Sequence, residues 1–527
     1  MTSPPEQGWH SPVNPWVTAV VATLAPFMEV LDTSIANVAL PHIAGSMGAS
    51  VQDSTWVLTS YLVSNAIVLT ISAWCSSVLG RRNFYMLCVA LFTGSSFLCG
   101  LAPNLGALVV LRLLQGLGGG GLQPSTQAIL VDTFPPRKRG LGMAVYGMTV
   151  VVAPIIGPTL GGWITDNFSW RWIFFINVPV GILSLALASQ VISDPPYLPR
   201  RRGADRFRVD WIGLGLLALG LGLFQIILDL GERHDWFDSP AILAGTAVAA
   251  TSLVLLILWE LGNSAPIIDL RLLKERNLAF STFIMVIFGM ILYGSIVLLP
   301  LFMQTLLGYT ATWSGLAISP GGVVVMILMP LVGWLISRVD ARWMILFGVV
   351  TVSYSLFMMG AFSTGVDFRT IVMARLVQGL GLAFMFVPIN TSAYAYVPKE
   401  QRNGASSLIS LARNIGGSFG ISLVTSLLAR RSQAHLSSMV GHLTPLDPAF
   451  AERLGQLVSG LRVHPADPVD RVELGRRVIW EMALGQARAL AYVDLFRYLA
   501  VAFLVLVPLV LLMRRARTAL GEPSSVH

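Results

Sequence analysis

Charge is scarce in this chain. Asp, Glu, Lys and Arg together make up 12% of its 527 residues, about half the share of an ordinary soluble protein. So little charge excludes a molecule whose whole surface faces water, and 54% hydrophobic residues leave lipid as the other solvent. Lysine is nearly absent: Lys138, Lys274 and Lys399 are the three in the chain, so arginine carries the net charge of +8. A basic balance can mean nucleic acid, but these arginines sit in short loops between apolar runs, and no nucleic-acid partner is expected. Cysteine is limited to Cys75, Cys88 and Cys99, all inside apolar segments, so no disulfide or metal framework is implied. The histidines His42, His234, His435, His442 and His464 lie in loops without ligand spacing, and no metal is expected. Residues 1–15 hold four prolines and no lysine or arginine, unlike a cleaved signal peptide, so the first apolar run is expected to remain as a membrane helix.

What the chain does have is long apolar runs. Those long enough to span a bilayer, at about 20 residues each, fall at 16–40, 54–76, 84–102, 106–131, 140–164, 170–192, 210–229, 240–259, 279–302, 315–337, 342–363, 369–396, 404–428 and 492–513. The pattern predicts an all-α, polytopic membrane protein with fourteen transmembrane helices. The run at 140–164 is interrupted by Pro154 and Pro158. Basic residues alternate sides: Arg81 and Arg82, Arg137 to Arg139, Arg200 to Arg208, Arg271 to Arg276, Arg338 and Arg342, Lys399 and Arg402, and Arg514 to Arg517 share one side. Positive charge marks the cytoplasmic side, so both termini are expected in the cytoplasm of a multi-pass inner-membrane protein. The segment 429–491 reads as a long periplasmic loop with some helix of its own.

An internal repeat divides the chain. Arg112-x-x-Gln115-Gly116-Leu117-Gly118 returns as Arg375-x-x-Gln378-Gly379-Leu380-Gly381, and the same spacing carries Pro135 to Pro398, Arg139 to Arg402 and Gly157 to Gly420. Duplicated helical bundles with a site between them are a common transporter design. The expected domains are an N-terminal six-helix bundle (1–192), a cytoplasmic linker with two additional helices (193–278), and a C-terminal six-helix bundle (279–527).

Four motifs stand in order along the first half: Leu31-Asp32-Thr33-Ser34-Ile35-Ala36-Asn37-Val38-Ala39-Leu40-Pro41, Arg112 to Gly121, Gly157-Pro158-Thr159-Leu160-Gly161-Gly162, and Trp170-Arg171-Trp172-Ile173-Phe174-Phe175-Ile176-Asn177-Val178-Pro179. Together they resemble the major facilitator superfamily and, within it, the 14-helix drug:proton antiporter family of the EmrB/QacA branch. The resemblance implies two pseudo-symmetric bundles that export small amphipathic compounds by alternating access, powered by the proton gradient and without a cofactor. It implies an antiporter motif on the fifth helix (Pro154, Gly157, Pro158, Gly161, Gly162). In two-membrane bacteria it also implies a periplasmic adaptor and outer-membrane channel. The loop after helix 2 departs from the family pattern. Gly80, Arg81 and Arg82 remain, but Ala73 and Ser77 replace the usual glycine and aspartate, which puts the usual interdomain charge contact there in question.

Ionisable side chains inside a bilayer cost about 2.5–3.5 kcal/mol each on insertion scales, so each is a functional candidate. Five qualify: Glu29, Asp32, Arg112, Arg375 and Arg413. Glu29 and Asp32 share one helix face at a spacing of three. Asp32 and Arg112 lie at similar depths, about 8 and about 6 residues from the outer ends of their helices at 1.5 Å rise per residue. The superfamily fold brings helices 1 and 4 to the cavity, so Asp32 and Arg112 are expected to pair. Glu29 is expected deeper, within reach of Arg112 or Gln115. Proton coupling falls to Asp32, Glu29 and Arg112; the alternative is a pair that only locks two helices. Helix 9 has no matching acid, since Phe288 and Ile291 take the corresponding places, so Arg375 and Arg413 are without an evident carboxylate. Either they favour lipophilic weak acids as substrates, or they bind carbonyls and neighbours such as Gln378 and Asn414. Gln115, Gln123, Tyr61, Asn177, Tyr293, Gln304 and Asn390, with Trp56, complete the candidate cavity, although interfacial anchoring accounts for such residues too.

Gly116-x-Gly118-x-x-Gly121 matches a dinucleotide fingerprint formally, but it lies in a membrane helix with no preceding strand. No His-Glu-x-x-His, Gly-x-Ser-x-Gly or Walker loop supplies enzyme chemistry, so an enzyme is not expected. The competing function on the same fold is a dedicated metabolite exporter or importer. A third reading, a membrane subunit acting through partners, rests on docking at 429–491.

Overall fold

A computed structural model describes residues 13–135, 138–195, 210–234, 236–263, 266–444, 446–460 and 468–514. The basic residues Arg137, Arg200 to Arg208, Arg515 and Arg517, and most of the linker 193–209, lie outside the described residues. Among the described residues the regular structure is helical throughout.

Thirteen helices are long and apolar enough to cross a membrane. They are α1 (Pro15–Met47), α2 (Trp56–Leu79), α3 (Arg81–Gly100), α4 (Leu105–Thr133), α5 (Arg139–Asn167), α6 (Trp172–Val191), α7 (Trp211–Leu230), α8 (Pro240–Gly262), α9 (Arg276–Leu306), α10 (Ala311–Leu335), α11 (Ala341–Met359), α12 (Phe368–Ala393) and the last long helix, α14 (Pro468–Leu504). The remaining long helix, α13 (Arg402–Val440, 39 residues), is rich in serine and arginine, yet Ala405 to Ser410, Arg413, Gly416 and Gly420 are buried along it. It is the fourteenth. Through Ser426 its polar side chains are buried or half-buried rather than offered to lipid, while Arg430 and Arg431 beyond are exposed.

Between apolar helices in lipid there is little hydrophobic drive, so close packing and hydrogen bonds hold the bundle. Gly416 and Gly420 let α13 lie backbone-to-backbone on α9, where a methyl group at either position would collide with the carbonyls of Val286 and Met290. Prolines inside helices free the carbonyl four residues earlier, and the bundle satisfies two of these with side chains from other helices. Pro26 leaves the Ala22 carbonyl without its helical donor; Tyr85 and Thr126 donate to it at 3.1 and 2.8 Å. Pro158 does the same to Pro154, whose carbonyl accepts from Ser34 on α1 at 3.2 Å. Pro154 and Pro158 interrupt the apolar run but not the helix, and α5 runs unbroken through both.

The pair α7 and α8 packs together, with Gly220 against Leu253. α7 lies across the seam between α2 and α13: Asp229 meets Thr59, and Trp236, just beyond α7, donates to Ser426 at 3.0 Å. α8 turns Leu243, Val254, Leu255 and Leu258 outward, an apolar face that suits lipid. The expected long loop at 429–491 is mostly helix. α13 continues to Val440, a short helix covers Pro448–Gly460, and α14 begins at Pro468, well before the expected start at 492. His435 and Asp494, 2.9 Å apart, tie α13 to α14 at the base of this extension.

Candidate functional site

Asp32 and Arg112 meet in the interior of the first half. The Arg112 Nη1 lies 2.6 Å from Asp32 Oδ2, and both side chains are within 1% of full burial. Asn177 and Gln115 donate to Asp32 Oδ1 at 2.7 and 3.2 Å. Arg112 also donates to the Val57 carbonyl at 3.0 Å and to Gln115 Oε1 at 2.8 Å, while its guanidinium lies 4.3 Å from the centre of the Tyr61 ring. A charge pair buried this deeply persists only when the remaining donors and acceptors are met. Here α1, α2, α4 and α6 each supply a partner, and Arg112 Nη2 is the guanidinium nitrogen left without a hydrogen bond.

Glu29 has different company. Its Oε1 accepts from Tyr61 at 3.1 Å and Asn65 at 3.2 Å, and its Oε2 accepts from Gln123 at 2.5 Å. The expected contact with Arg112 or Gln115 does not form, because the carboxylate turns toward the second half of the molecule. There Gln123 Oε1 accepts from Arg413 of α13, whose other amino group donates to Tyr146 at 3.3 Å. Glu29, Gln123 and Arg413 therefore form a continuous link between the halves. Asn414 donates to Asn65 at 3.4 Å rather than serving Arg413. Arg375 donates to Gln378, which in turn donates to Ser295 at 3.1 Å.

Beside Glu29 lies a cavity of about 220 Å³, walled by α1, α2, α4, α5, α7, α9 and α13. Glu29, Tyr61, Gln123, Tyr293 and Asn414 line it, with Pro154 at one edge. The other candidates lie elsewhere. Asp32, Arg112, Gln115, Asn177, Arg375, Gln378, Asn390 and Arg413 are buried behind the wall, while Gln304 is exposed at the far end of α9. Asn390 donates to the Phe386 carbonyl one turn back at 2.8 Å. Among the described residues the lining has two carboxylates, Glu29 and Asp229, and no lysine, arginine or histidine. The arginines expected to attract weak acids thus do not face the cavity.

Between the cavity and the basic loops the halves are sewn together. Ser72 and Ser407 hydroxyls lie 2.7 Å apart, Ser406 donates to the Pro124 carbonyl at 2.9 Å, and Gln127 donates to Ser410 at 2.7 Å. Nearer the loops, Asp132 accepts from Arg81 at 2.7 Å and from Arg402 of the other half. The acid that Ser77 lacks is thus supplied from the end of α4. Gly80, at φ 84°, makes the sharp turn that lets Arg81 point inward, and the Arg82 backbone N–H donates to Asp194 at 2.7 Å. Asp340, the acid of the matching loop in the second half, caps α11 and pairs with Arg342 at 2.8 Å.

The fifth-helix motif works by size. A methyl group at Gly157 would strike Ser34, and one at Gly161 would stand 2.9 Å from Ile35, so α5 lies directly on α1. Gly162 is buried, its carbonyl accepting from Thr165 at 3.0 Å, and Pro158 is half-buried. Sequence reasoning missed Thr59, Asn65, Gln127, Asp132, Tyr146, Gln225 and Asp229. One signal was available: Asp229 is the sole charged residue in α7.

The model of the Major Facilitator Superfamily matches residues 22–421. EmrB of Escherichia coli (strain K12), a multidrug export protein, is 37% identical over 84% of this chain and 85% of its own length. FarB of Neisseria gonorrhoeae, a fatty acid resistance protein, is 38% identical over 84% and 86%. EmrY of Escherichia coli (strain K12), a probable multidrug resistance protein, is 34% identical over 96% of each chain. Two solved structures share the fold. The human organic anion transporter MFSD10 has a TM-score of 0.58 at 14% identity, covering 94% of this chain and all of that one. The proton:xylose symporter XylE has a TM-score of 0.54 at 15% identity, covering 89% and 96%. Fold, motifs and relatives agree: this multi-pass membrane protein belongs to the Major Facilitator Superfamily, in the branch of the EmrB export proteins.

Proposed function

We propose that this chain is a multidrug efflux permease of the inner membrane that exports small amphipathic compounds in exchange for protons, with its basic loops and both termini in the cytoplasm. The observation that carries the reading is the position of Glu29: it lines the cavity and is linked through Gln123 to Arg413 in the opposite half. A carboxylate placed there can both compete with substrate and report its charge to the interface. The arrangement described is closed on the basic-loop side. In it the ionised Glu29 accepts the Gln123 amide, which holds Arg413. Protonation from the periplasm removes the charge that orients this chain of donors, loosens the link and favours the state open to the cytoplasm. Substrate arriving from the cytoplasm displaces the proton and restores the link. The proton gradient is the energy source, and no cofactor takes part. Asp32 and Arg112, fully buried and outside the cavity, hold α1, α4 and α6 in register rather than carrying the proton.

The test is substrate efflux from proteoliposomes with an imposed pH gradient. Uphill movement that reverses with the gradient supports exchange; movement indifferent to it contradicts the reading.

The extension built from α13, Pro448–Gly460 and α14 serves, in this reading, as the docking platform for a periplasmic adaptor leading to an outer-membrane channel.

A further inference from the structure

Gln123 and Gln127 are four residues apart on α4 and so share one helix face. Both are buried, and the whole Gln127 amide is in use. Its Nε2 donates to Tyr146 of α5 at 2.9 Å and to Ser410 of α13 at 2.7 Å. Its Oε1 accepts from Tyr394, just beyond α12, at 2.7 Å. Tyr146 has one O–H to give and two lone pairs to fill. Gln127 and Arg413 both donate to it, so its proton goes to Gln123 Oε1, 3.4 Å away. Gln123 in turn donates to Glu29. The direction is fixed by the charged partners, because a carboxylate only accepts and a guanidinium only donates. Every donor from Tyr394 through Gln127, Tyr146 and Gln123 therefore points toward Glu29. Hydrogen bonds aligned in one direction polarise and strengthen one another, and this row ends on a charge. Its other end reaches the seam between the halves: Tyr394 stands beside Arg402 and Ser406 of α13, and Arg402 holds Asp132. From Gln123 to Asp132 is about 13 Å along α4, at 1.5 Å rise per residue.

We infer that Gln127 is the positioning residue that carries the charge state of Glu29 to the seam on the basic-loop side, by aligning Tyr394, Tyr146 and Gln123 as one row of donors. This deepens the efflux reading and rests on Glu29 as its proton carrier. With Glu29 ionised the row has an anion to point at, and Tyr394 and Ser410 of the second half are held against α4 of the first. Protonation removes that anion. The row then loses its direction, and its hold on α12 and α13 weakens. The other charged and titratable groups around Glu29 are Tyr61 of α2, Tyr293 of α9 and Arg413 of α13. The Asp32–Arg112 pair lies behind Tyr61, and Asp229 lines the same cavity. These act on Glu29 itself, whereas Gln127 acts on the seam through the row.

The experiment measures spin-label distances between Ser77 and Glu400 in the full chain in nanodiscs. They give the ratio of open to closed populations at about pH 5 and about pH 9, a span over which buried carboxyl groups titrate. The readout is the factor by which pH changes this ratio. A contact that only stitches the halves shifts the ratio equally at both pH values and leaves the factor alone. In the wild type the factor is expected to be about tenfold or more, the size of an ordinary coupling. Gln127→Leu, and the milder Tyr394→Phe that keeps the ring, are expected to shrink it by about fivefold or more. Ser410→Ala removes a bond of Gln127 outside the row, and is expected to raise the open fraction at both pH values with the factor kept. The wild-type factor retained in Tyr394→Phe overturns the inference. So does a factor lost in Ser410→Ala as fully as in Tyr394→Phe, since any loosening of the seam would then do the same. Failure of the efflux reading appears separately, as a wild-type ratio indifferent to pH, and takes the inference with it.

Discussion

Asp132 and Arg402, residues of opposite halves, form an ion pair with 1% and 6% of their side chains exposed. Arg81 completes the triad at 2.7 Å from the same carboxylate. One acid thus holds two guanidinium groups, one from each side of the seam, at the end of the cavity nearest the basic loops. Alternating access requires this contact to break, so it acts as the bolt of the closed state.

Removing the acid strands two buried arginines, a loss of about 3–5 kcal/mol by the usual cost of breaking a buried pair. Asp132→Asn is therefore expected to shift the population toward the state open to the basic side. Spin-label distances between Ser77 and Glu400, on opposite sides of the seam, should lengthen. An unchanged distance distribution contradicts the bolt.

Ser34 and Pro158 make a linked pair through the Pro154 carbonyl. Ser34→Ala leaves that buried acceptor unmet and should cost about 1–3 kcal/mol. Pro158→Ala restores the helical N–H donor, so the double variant should recover most of the stability lost by Ser34→Ala. Thermal unfolding of the three variants in detergent measures the coupling. Additive losses would show that the Ser34 hydroxyl acts independently of the carbonyl that Pro158 frees.

Asp32 and Glu29 should separate in their effects. Asp32→Asn leaves Arg112 buried without its counter-ion and is expected to lower stability by about 3–5 kcal/mol. Glu29→Gln keeps an acceptor oxygen for Tyr61 and Asn65 but sets a donor against the Gln123 amide, and is expected to cost about 1–3 kcal/mol, less than Asp32→Asn. Equal destabilisation by the two would return both acids to a structural role.

Deleting residues 441–467, between α13 and α14, should abolish adaptor binding while leaving transport in proteoliposomes intact. Adaptor pull-down with unaltered affinity contradicts docking at this extension.

The fold was legible because lipid demands long apolar runs, and those runs are written plainly in the chain. Even α13, too polar to pass as a lipid-facing helix, showed as a run between Gly404 and Leu428. Its extension to Val440 did not show, because a helix beyond the membrane is as polar as a loop. The meeting of Asp32 with Arg112 followed from depth on two helices known to face each other. The partners of Glu29 did not follow, since they depend on how α2 and α4 are rotated. Arg413 illustrates the limit most clearly. A buried arginine needs acceptors, but only the packed structure tells that Gln123 and Tyr146 provide them, and that the guanidinium turns away from the cavity. Asp132 escaped notice because it stands at the end of α4, where an acid looks like part of the loop.

Glu29 as the proton carrier is the claim on which the account depends, and Glu29→Gln in proteoliposomes tests it most directly. Exchange of labelled for unlabelled substrate at equal concentrations should persist, because binding and rocking need no proton transfer. Uphill efflux driven by a pH gradient should vanish. Gradient-driven efflux at the wild-type rate, with the wild-type dependence on pH, would contradict the account.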